Sequence, residues 1–138
     1  MTFILLLTLL LAAPKSACAT DKCLSRSEWH ASGKLQRICY SEKGQFWVSE
    51  ECLNSSAPCG AVRLLMAAQN LKDRIPPSRF LQLGRNPGIW VCEQVSGTTR
   101  LAEQPAARIA NQATFCEASD GTWIDVNSLQ QSKVRHRK

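Results

Sequence analysis

The sequence predicts an α+β fold: a small disulfide-stapled domain with two antiparallel β-hairpin modules around one amphipathic helix. Three observations lead to this prediction: six cysteines in the body of the chain, two similar cysteine–glycine–tryptophan stretches, and one periodic apolar segment between them. A length of 138 residues fits one domain, and 44% apolar with 20% charged residues excludes a disordered chain or a multi-span membrane protein. The expected division is a signal peptide (1–19), a single domain (20–132: modules 23–53 and 86–129, helix 61–75) and a basic flexible tail (133–138).

The first nineteen residues have the pattern of a secretory signal. The apolar run from Phe3 to Ala13 is shorter than the roughly 20 residues that span a bilayer, and the small residues of Ala17-Cys18-Ala19 follow it. Cleavage after Ala19 predicts an exported protein, periplasmic or extracellular. The alternative is a lipoprotein anchored at Cys18, although Lys15 stands where a lipobox has an apolar residue.

Removal of that leader leaves an even number of cysteines: Cys23, Cys39, Cys52, Cys59, Cys92 and Cys116. An even count in a short exported chain predicts three disulfides formed in an oxidising compartment. A zinc site is disfavoured because no two cysteines have the C-x2-4-C spacing and only His30 and His136 are available. Spacing alone leaves fifteen pairings open.

Two stretches of the chain align by eye, and each predicts a β-hairpin. Residues 39–53 and 116–129 both begin with cysteine, place glycine five residues later and end on leucine, which matches Trp47 with Trp123. Lys43-Gly44 and Asp120-Gly121 supply the turns. Chance similarity between two short hairpins and an internal duplication both explain the match, and the sequence leaves the two open. The comparison suggests Cys23–Cys39 and Cys92–Cys116 as equivalent disulfides, with Cys52–Cys59 closing the loop before the helix.

The segment from Ala61 to Ile75 predicts the one long helix. Its apolar stripe faces the core, and Pro76-Pro77 ends it. The stripe consists of Leu64, Leu65, Ala68, Leu71 and Ile75.

Beyond the helix, the chain predicts mainly strands. Asn86-Pro87-Gly88 predicts a turn, Ile89 to Val95 a strand, and Thr98 to Ala102 a weaker strand. The stretch from Pro105 to Gln112 is ambiguous between a loop and a helical turn.

Residues 86–129 resemble a small exported, cysteine-containing domain family whose members carry the name haemolysin. The shared pattern is Asn86-Pro87-Gly88, Cys92, Gly97, Cys116 and Asp120-Gly121. The chain departs from this family at Gly97, where the family has two glycines, and at Trp123, where it has a further cysteine. The family has no established chemistry, so the resemblance implies export and a compact hairpin domain.

The net charge of +6 comes mainly from the end of the chain. Four basic residues lie in the last six positions, and the rest of the mature chain is nearly neutral. We therefore expect no specific nucleic-acid binding and at most a weak contact of this tail with an anionic surface. The four residues are Lys133, Arg135, Arg137 and Lys138.

Two sets of residues are candidates for function. Trp29, Trp47 and Asn54 form a candidate binding surface, because exposed tryptophans bind sugars or protein partners; Trp90 and Trp123 are expected in the core. Glu28 and His30 are the one candidate acid–base pair, without the further residues that hydrolase motifs require.

We therefore expect a non-catalytic exported binding or structural protein, with no cofactor, no metal and no catalytic residues. The expected partner is an unidentified protein or a cell-envelope glycan. One alternative is a secreted inhibitor or toxin-like effector that acts on a protein through the Cys52–Cys59 loop. A second alternative is a small hydrolase that uses Glu28 and His30.

Overall fold

The computed structural model describes residues 21–71, 84–105 and 111–131. The predicted signal peptide (1–19) and basic tail (133–138) lie outside the described residues. In chain order the elements are β1 (Cys23–Ala31), β2 (Lys34–Ser41), β3 (Trp47–Ser49), a 3-10 helix (Glu50–Leu53), α1 (Gly60–Gln69), α2 (Pro87–Gln94), β4 (Thr98–Glu103), β5 (Gln112–Glu117), β6 (Trp123–Asp125) and α3 (Val126–Gln131).

The six strands close into one antiparallel barrel in the order β1-β2-β3-β6-β5-β4. The prediction of an α+β fold with two hairpin modules around one helix is therefore wrong, since the fold is mostly β and the modules share a single continuous sheet. Two seams close it: β3 pairs with β6 at Val48 and Ile124, and β1 pairs with β4 at His30 and Glu103. These seams join residues far apart in the chain, and no local pattern specifies such pairings.

Alternation along the strands separates two cores, because successive side chains point to opposite faces of the sheet. The inner core fills the barrel, and its buried members are Trp29, Ala31, Ile38, Ala102, Phe115 and Trp123. The outer core lies between the barrel wall and the helices and includes Cys39, Val48, Leu65, Val91, Cys116, Ile124 and Leu129. On each strand, therefore, every second side chain points into the barrel and the side chains between them face outwards.

The barrel has an approximate two-fold symmetry between β1-β2-β3 and β4-β5-β6. The sequence comparison aligned Val48 with Ile124, and these two residues pair directly where β3 meets β6. Their inward-facing neighbours Trp47 and Trp123 consequently lie towards opposite ends of the barrel. A short helix follows each unit, Glu50–Leu53 and α3. This arrangement favours duplication over chance similarity.

The predicted helix is present as α1, which begins one residue before the expected start and ends at Gln69, with Asn70 as its C-cap. The rest of the predicted segment, 72–75, and the prolines after it lie outside the described residues. Of the predicted stripe, Leu65 and Ala68 are buried in the outer core, and Leu64 and Leu71 are partly buried against it.

The strand predicted from Ile89 to Val95 is wrong, because this segment is helix α2. The Asn86 side chain accepts a hydrogen bond from the Gly88 N–H at 2.8 Å, and Pro87 occupies the first turn. Both are helix-start signals that outweigh the β-favouring composition of the segment. Gly88 also allows close packing on α3, since a Cβ there would lie 2.1 Å from the Val126 carbonyl oxygen.

Three disulfides are present: Cys23–Cys39, Cys52–Cys59 and Cys92–Cys116. They are the pairs that the module comparison suggested. The first joins β1 to β2, the second joins the 3-10 helix to the residue before α1, and the third joins α2 to β5. Three such bonds are typical of a protein that folds in an oxidising environment. No helix within the described ranges is long and apolar enough to cross a membrane.

Candidate functional site: the barrel mouth

A cavity of about 320 Å³ opens at one end of the barrel, here called the mouth. It is the end at which β2, β4 and β6 finish. Every strand, or the residue directly after it, contributes to the cavity wall. The lining residues are Ser27, Trp29, Ile38, Trp47, Gln104, Ala113, Phe115, Asp125 and Asn127.

Aromatic rings form the floor and one side of the mouth. Trp29 packs edge-on against Phe115 with ring centres 5.3 Å apart, and both are buried. The Trp29 indole N–H donates to the Ser27 hydroxyl at 2.9 Å, which fixes the ring. Trp47 is half-buried and contacts Tyr40, with ring centres 5.1 Å apart. The mouth therefore offers a preformed aromatic surface to an entering group.

Among the described residues that line the cavity, Asp125 is the one charged side chain. It ends β6 opposite Phe115 and directly precedes α3. Burial raises the pKa of the Asp125 carboxyl, although hydrogen bonds from the backbone N–H groups of Asn127, Ser128 and Val126 act in the opposite direction. Desolvation of the ionised carboxylate is thus only partly compensated.

Charged side chains fill the opposite end of the barrel. The Lys34 ammonium donates to the Gly121 carbonyl at 2.6 Å and lies 5.7 Å from the centre of the Trp123 ring. Glu117 accepts from the Trp123 indole at 2.6 Å and from Arg100 at 3.1 Å, and lies 3.8 Å from Lys34.

The same network acts on the ionisation of Glu117. Desolvation opposes its ionisation, but the hydrogen bonds from Trp123 and Arg100 and the charges of Arg100 and Lys34 lower the pKa of Glu117 overall. A carboxylate held in its charged form by two cations closes this end of the barrel.

The structure brings together two of the three residues predicted as a binding surface. Trp29 and Trp47 both line the mouth, whereas Asn54 does not. Asn54 lies in the loop closed by Cys52–Cys59, where residues 54–58 are exposed and the Ser55 hydroxyl donates to the Ala57 carbonyl at 2.6 Å.

The other candidate residues also lie away from the mouth. Glu28 and His30 are exposed on the outer wall of β1, and the Glu28 carboxylate lies 3.5 Å from the Arg37 guanidinium. Trp123 is fully buried in the inner core as expected, and Trp90 is partly buried against the outer core.

Sequence reasoning missed the polar residues of the mouth: Ser27, Gln104, Asp125 and Asn127. One signal for Asp125 was available. It lies two residues after Trp123 in a strand, so its side chain points into the same interior. Within the described segments, no three His, Cys, Asp or Glu side chains are placed to hold a metal ion.

No family model, curated protein or solved structure matches this chain. The resemblance of residues 86–129 to the haemolysin-named domain therefore stays a prediction.

Proposed function

We propose that this protein is an exported, non-catalytic binding protein that holds a small ligand in the barrel mouth. The observation that carries the proposal is the cavity itself, in which three aromatic rings meet four polar side chains. Largely apolar pockets with a few convergent polar groups are the usual form of ligand sites. A volume of about 320 Å³ lies at the small end of such sites, so the ligand is one ring or one side chain rather than a long polymer segment.

The chemistry of the lining supports binding rather than catalysis. Asp125 is the one carboxyl group that the described residues contribute to the lining, whereas glycoside hydrolysis commonly requires two. Ser27 accepts a hydrogen bond from Trp29 and has no histidine beside it in the lining, as an activated serine would. All six described cysteines are paired and supply no thiolate.

The disulfides support the exported location, because such bonds persist in oxidising compartments. In that setting the ligand is either a sugar unit of a cell-envelope glycan or a side chain or small molecule of similar size. The half-buried Trp47 is suited to stacking against either kind of group.

A cavity-filling variant tests the proposal. Ala113 lines the mouth, so Ala113→Phe is expected to occupy the space and weaken ligand binding at least tenfold. Leu101→Phe is the matched control, since Leu101 is 61% exposed and lies on the outer face of β4. Titrations monitored by tryptophan fluorescence use N-acetylglucosamine, choline and 3,3-dimethylbutan-1-ol. Binding unaffected by Ala113→Phe, or no binding of any probe to the folded wild type, contradicts the proposal.

A further inference from the structure

The mouth presents a negative charge without a positive partner from the described chain. The groups that hydrogen-bond the Asp125 carboxylate are backbone N–H groups, and no positive side chain of the described residues acts on it. The cations of the barrel interior, Lys34 and Arg100, lie at the opposite end with Glu117. Asp125 is half-buried, and a partly desolvated carboxylate without a counter-ion favours a cation that can reach it.

At the opposite end of the barrel, a carboxylate near a tryptophan ring has a cation as its partner. There the Lys34 ammonium lies over the Trp123 ring and close to the Glu117 carboxylate. The alignment that matches Cys39 with Cys116 places Asn111 at the position of Lys34, so the mouth has an amide where the closed end has a cation. The Asn111 amide donates to the Gln104 side chain at 2.6 Å.

We propose that the ligand of the mouth is an organic cation, an alkylammonium group that lies against the Trp47 ring with its charge facing Asp125. This inference deepens the proposed function and rests on it. Tryptophan is the strongest aromatic partner for a cation, and aromatic sites with a nearby carboxylate recognise methylated and quaternary ammonium groups. The apolar floor of Trp29 and Phe115 receives the alkyl part.

Because Asp125 can be protonated, binding of a cation at the mouth is also expected to depend on pH. Burial raises the pKa of this carboxyl, so protonation removes the ligand's counter-ion at a higher pH than it would for an exposed aspartate. The described groups that face Asp125 from β5, β3 and the end of β4 are Phe115, Trp47 and Gln104, none of which titrates in the acidic range.

The test compares choline with 3,3-dimethylbutan-1-ol, a neutral molecule of nearly the same shape. Isothermal titration calorimetry on the full chain is expected to show choline binding about tenfold more tightly at pH 7. Asp125→Asn is expected to remove this preference, since asparagine keeps the capping geometry without the charge. Glu28→Gln, an exposed carboxylate on the outer wall, is the matched control and leaves the preference unchanged. The preference also declines as the pH falls through the pKa of Asp125.

The outcomes distinguish failure of the cation inference alone from failure of both proposals. Equal binding of choline and the alcohol, or a preference that survives Asp125→Asn in a folded variant, overturns the cation inference and leaves the proposed function standing. Binding of N-acetylglucosamine alone likewise overturns only the cation inference. Failure of all three probes to bind the folded protein overturns both proposals. Tighter choline binding that Asp125→Asn abolishes supports both.

Discussion

At the scale of single residues, Asp125 has two opposed roles. Its carboxylate accepts hydrogen bonds from three backbone N–H groups at the start of α3, yet burial penalises its charge enough to raise its pKa. A raised folded-state pKa means that the folded protein binds this proton more tightly than the unfolded chain. The contribution of Asp125 to the free energy of unfolding is therefore complete below the unfolded pKa of about 3.9 and is lost as the pH rises through the folded pKa.

Asp125→Asn is accordingly expected to raise the free energy of unfolding at pH 7. Asparagine caps a helix about as well as aspartate, so the difference between the two proteins reports the charge. Urea denaturation followed by circular dichroism should show the variant with the higher midpoint at pH 7 and the two midpoints converging near pH 3. A variant less stable at every pH would show that capping, rather than desolvation, dominates at this position.

The residues of the site were only partly predictable. Trp29 and Trp47 were identified as binding candidates because large amphipathic side chains are rare enough to single out in a sequence. Asp125 and Gln104 were not identified, because ordinary polar residues gain their meaning from the barrel closure that places them beside Trp47. Asn54 was selected for its place in a short disulfide loop, which turns away from the mouth.

At the scale of elements, α1 is attached to the barrel through its first turn. The Asp120 carboxylate accepts from the Gly60 N–H at 2.7 Å, and the Thr122 hydroxyl accepts from the Ala61 N–H at 2.8 Å. Desolvation opposes ionisation of Asp120, but hydrogen bonds from Thr122 and Gly60 and the charge of Arg63 lower its pKa overall. The β5–β6 turn thus caps the first two N–H groups of α1, in addition to the Cys59 sulfur, which accepts from the Val62 N–H at 3.5 Å.

Asp120→Ala removes the hydrogen bond between the Asp120 carboxylate and the Gly60 N–H. The expected loss of stability is about 1 kcal/mol at pH 7, the usual loss for a helix cap. Because the folded-state pKa is lowered, this stabilisation is present above the unfolded pKa and is lost as the pH falls through the folded one. Thermal unfolding at pH 7 and pH 3 measures both effects. Ser119→Ala in the same turn is the control, and an equal loss in it would contradict the capping role.

The sequence predicted the hairpins correctly because residues close together in the chain specify their turns. The hairpins β2–β3 and β5–β6 were expected from their glycine turns, and Gly121 has the positive φ of 83° that such a turn uses. In the other turn Gln45, not Gly44, has the positive φ. The sequence predicted a strand for helix α2 because its apolar run is short and rich in β-favouring residues. For so short a run, hydrophobic periodicity does not distinguish a helix from a strand, and the capping residues must be used instead.

At the scale of the whole molecule, closure is the feature that the sequence did not reveal. Two separate hairpins around a helix, as the sequence predicted, would leave strand edges unpaired. The barrel removes those edges by pairing β3 with β6 and β1 with β4. Closure also creates the mouth, since only a closed sheet brings Trp47 and Asp125 to the same cavity as Trp29.

The three disulfides stabilise this barrel unequally. Cys92–Cys116 spans 24 residues, is fully buried and ties α2 to β5, whereas Cys52–Cys59 spans 7 residues and is only partly buried. In the chain-entropy model the longer loop contributes about 3.5 kcal/mol and the shorter about 2.5 kcal/mol. Replacing both members of each pair with alanine should therefore lower the urea midpoint more for Cys92/Cys116. The sulfurs of the buried pair pack so closely on Gly97 that a Cβ there would lie 2.2 Å from the Cys116 sulfur. Their removal therefore leaves a cavity, which adds to the loss of stability. Equal midpoints for the two double variants would show that neither loop length nor burial sets the stability of the barrel.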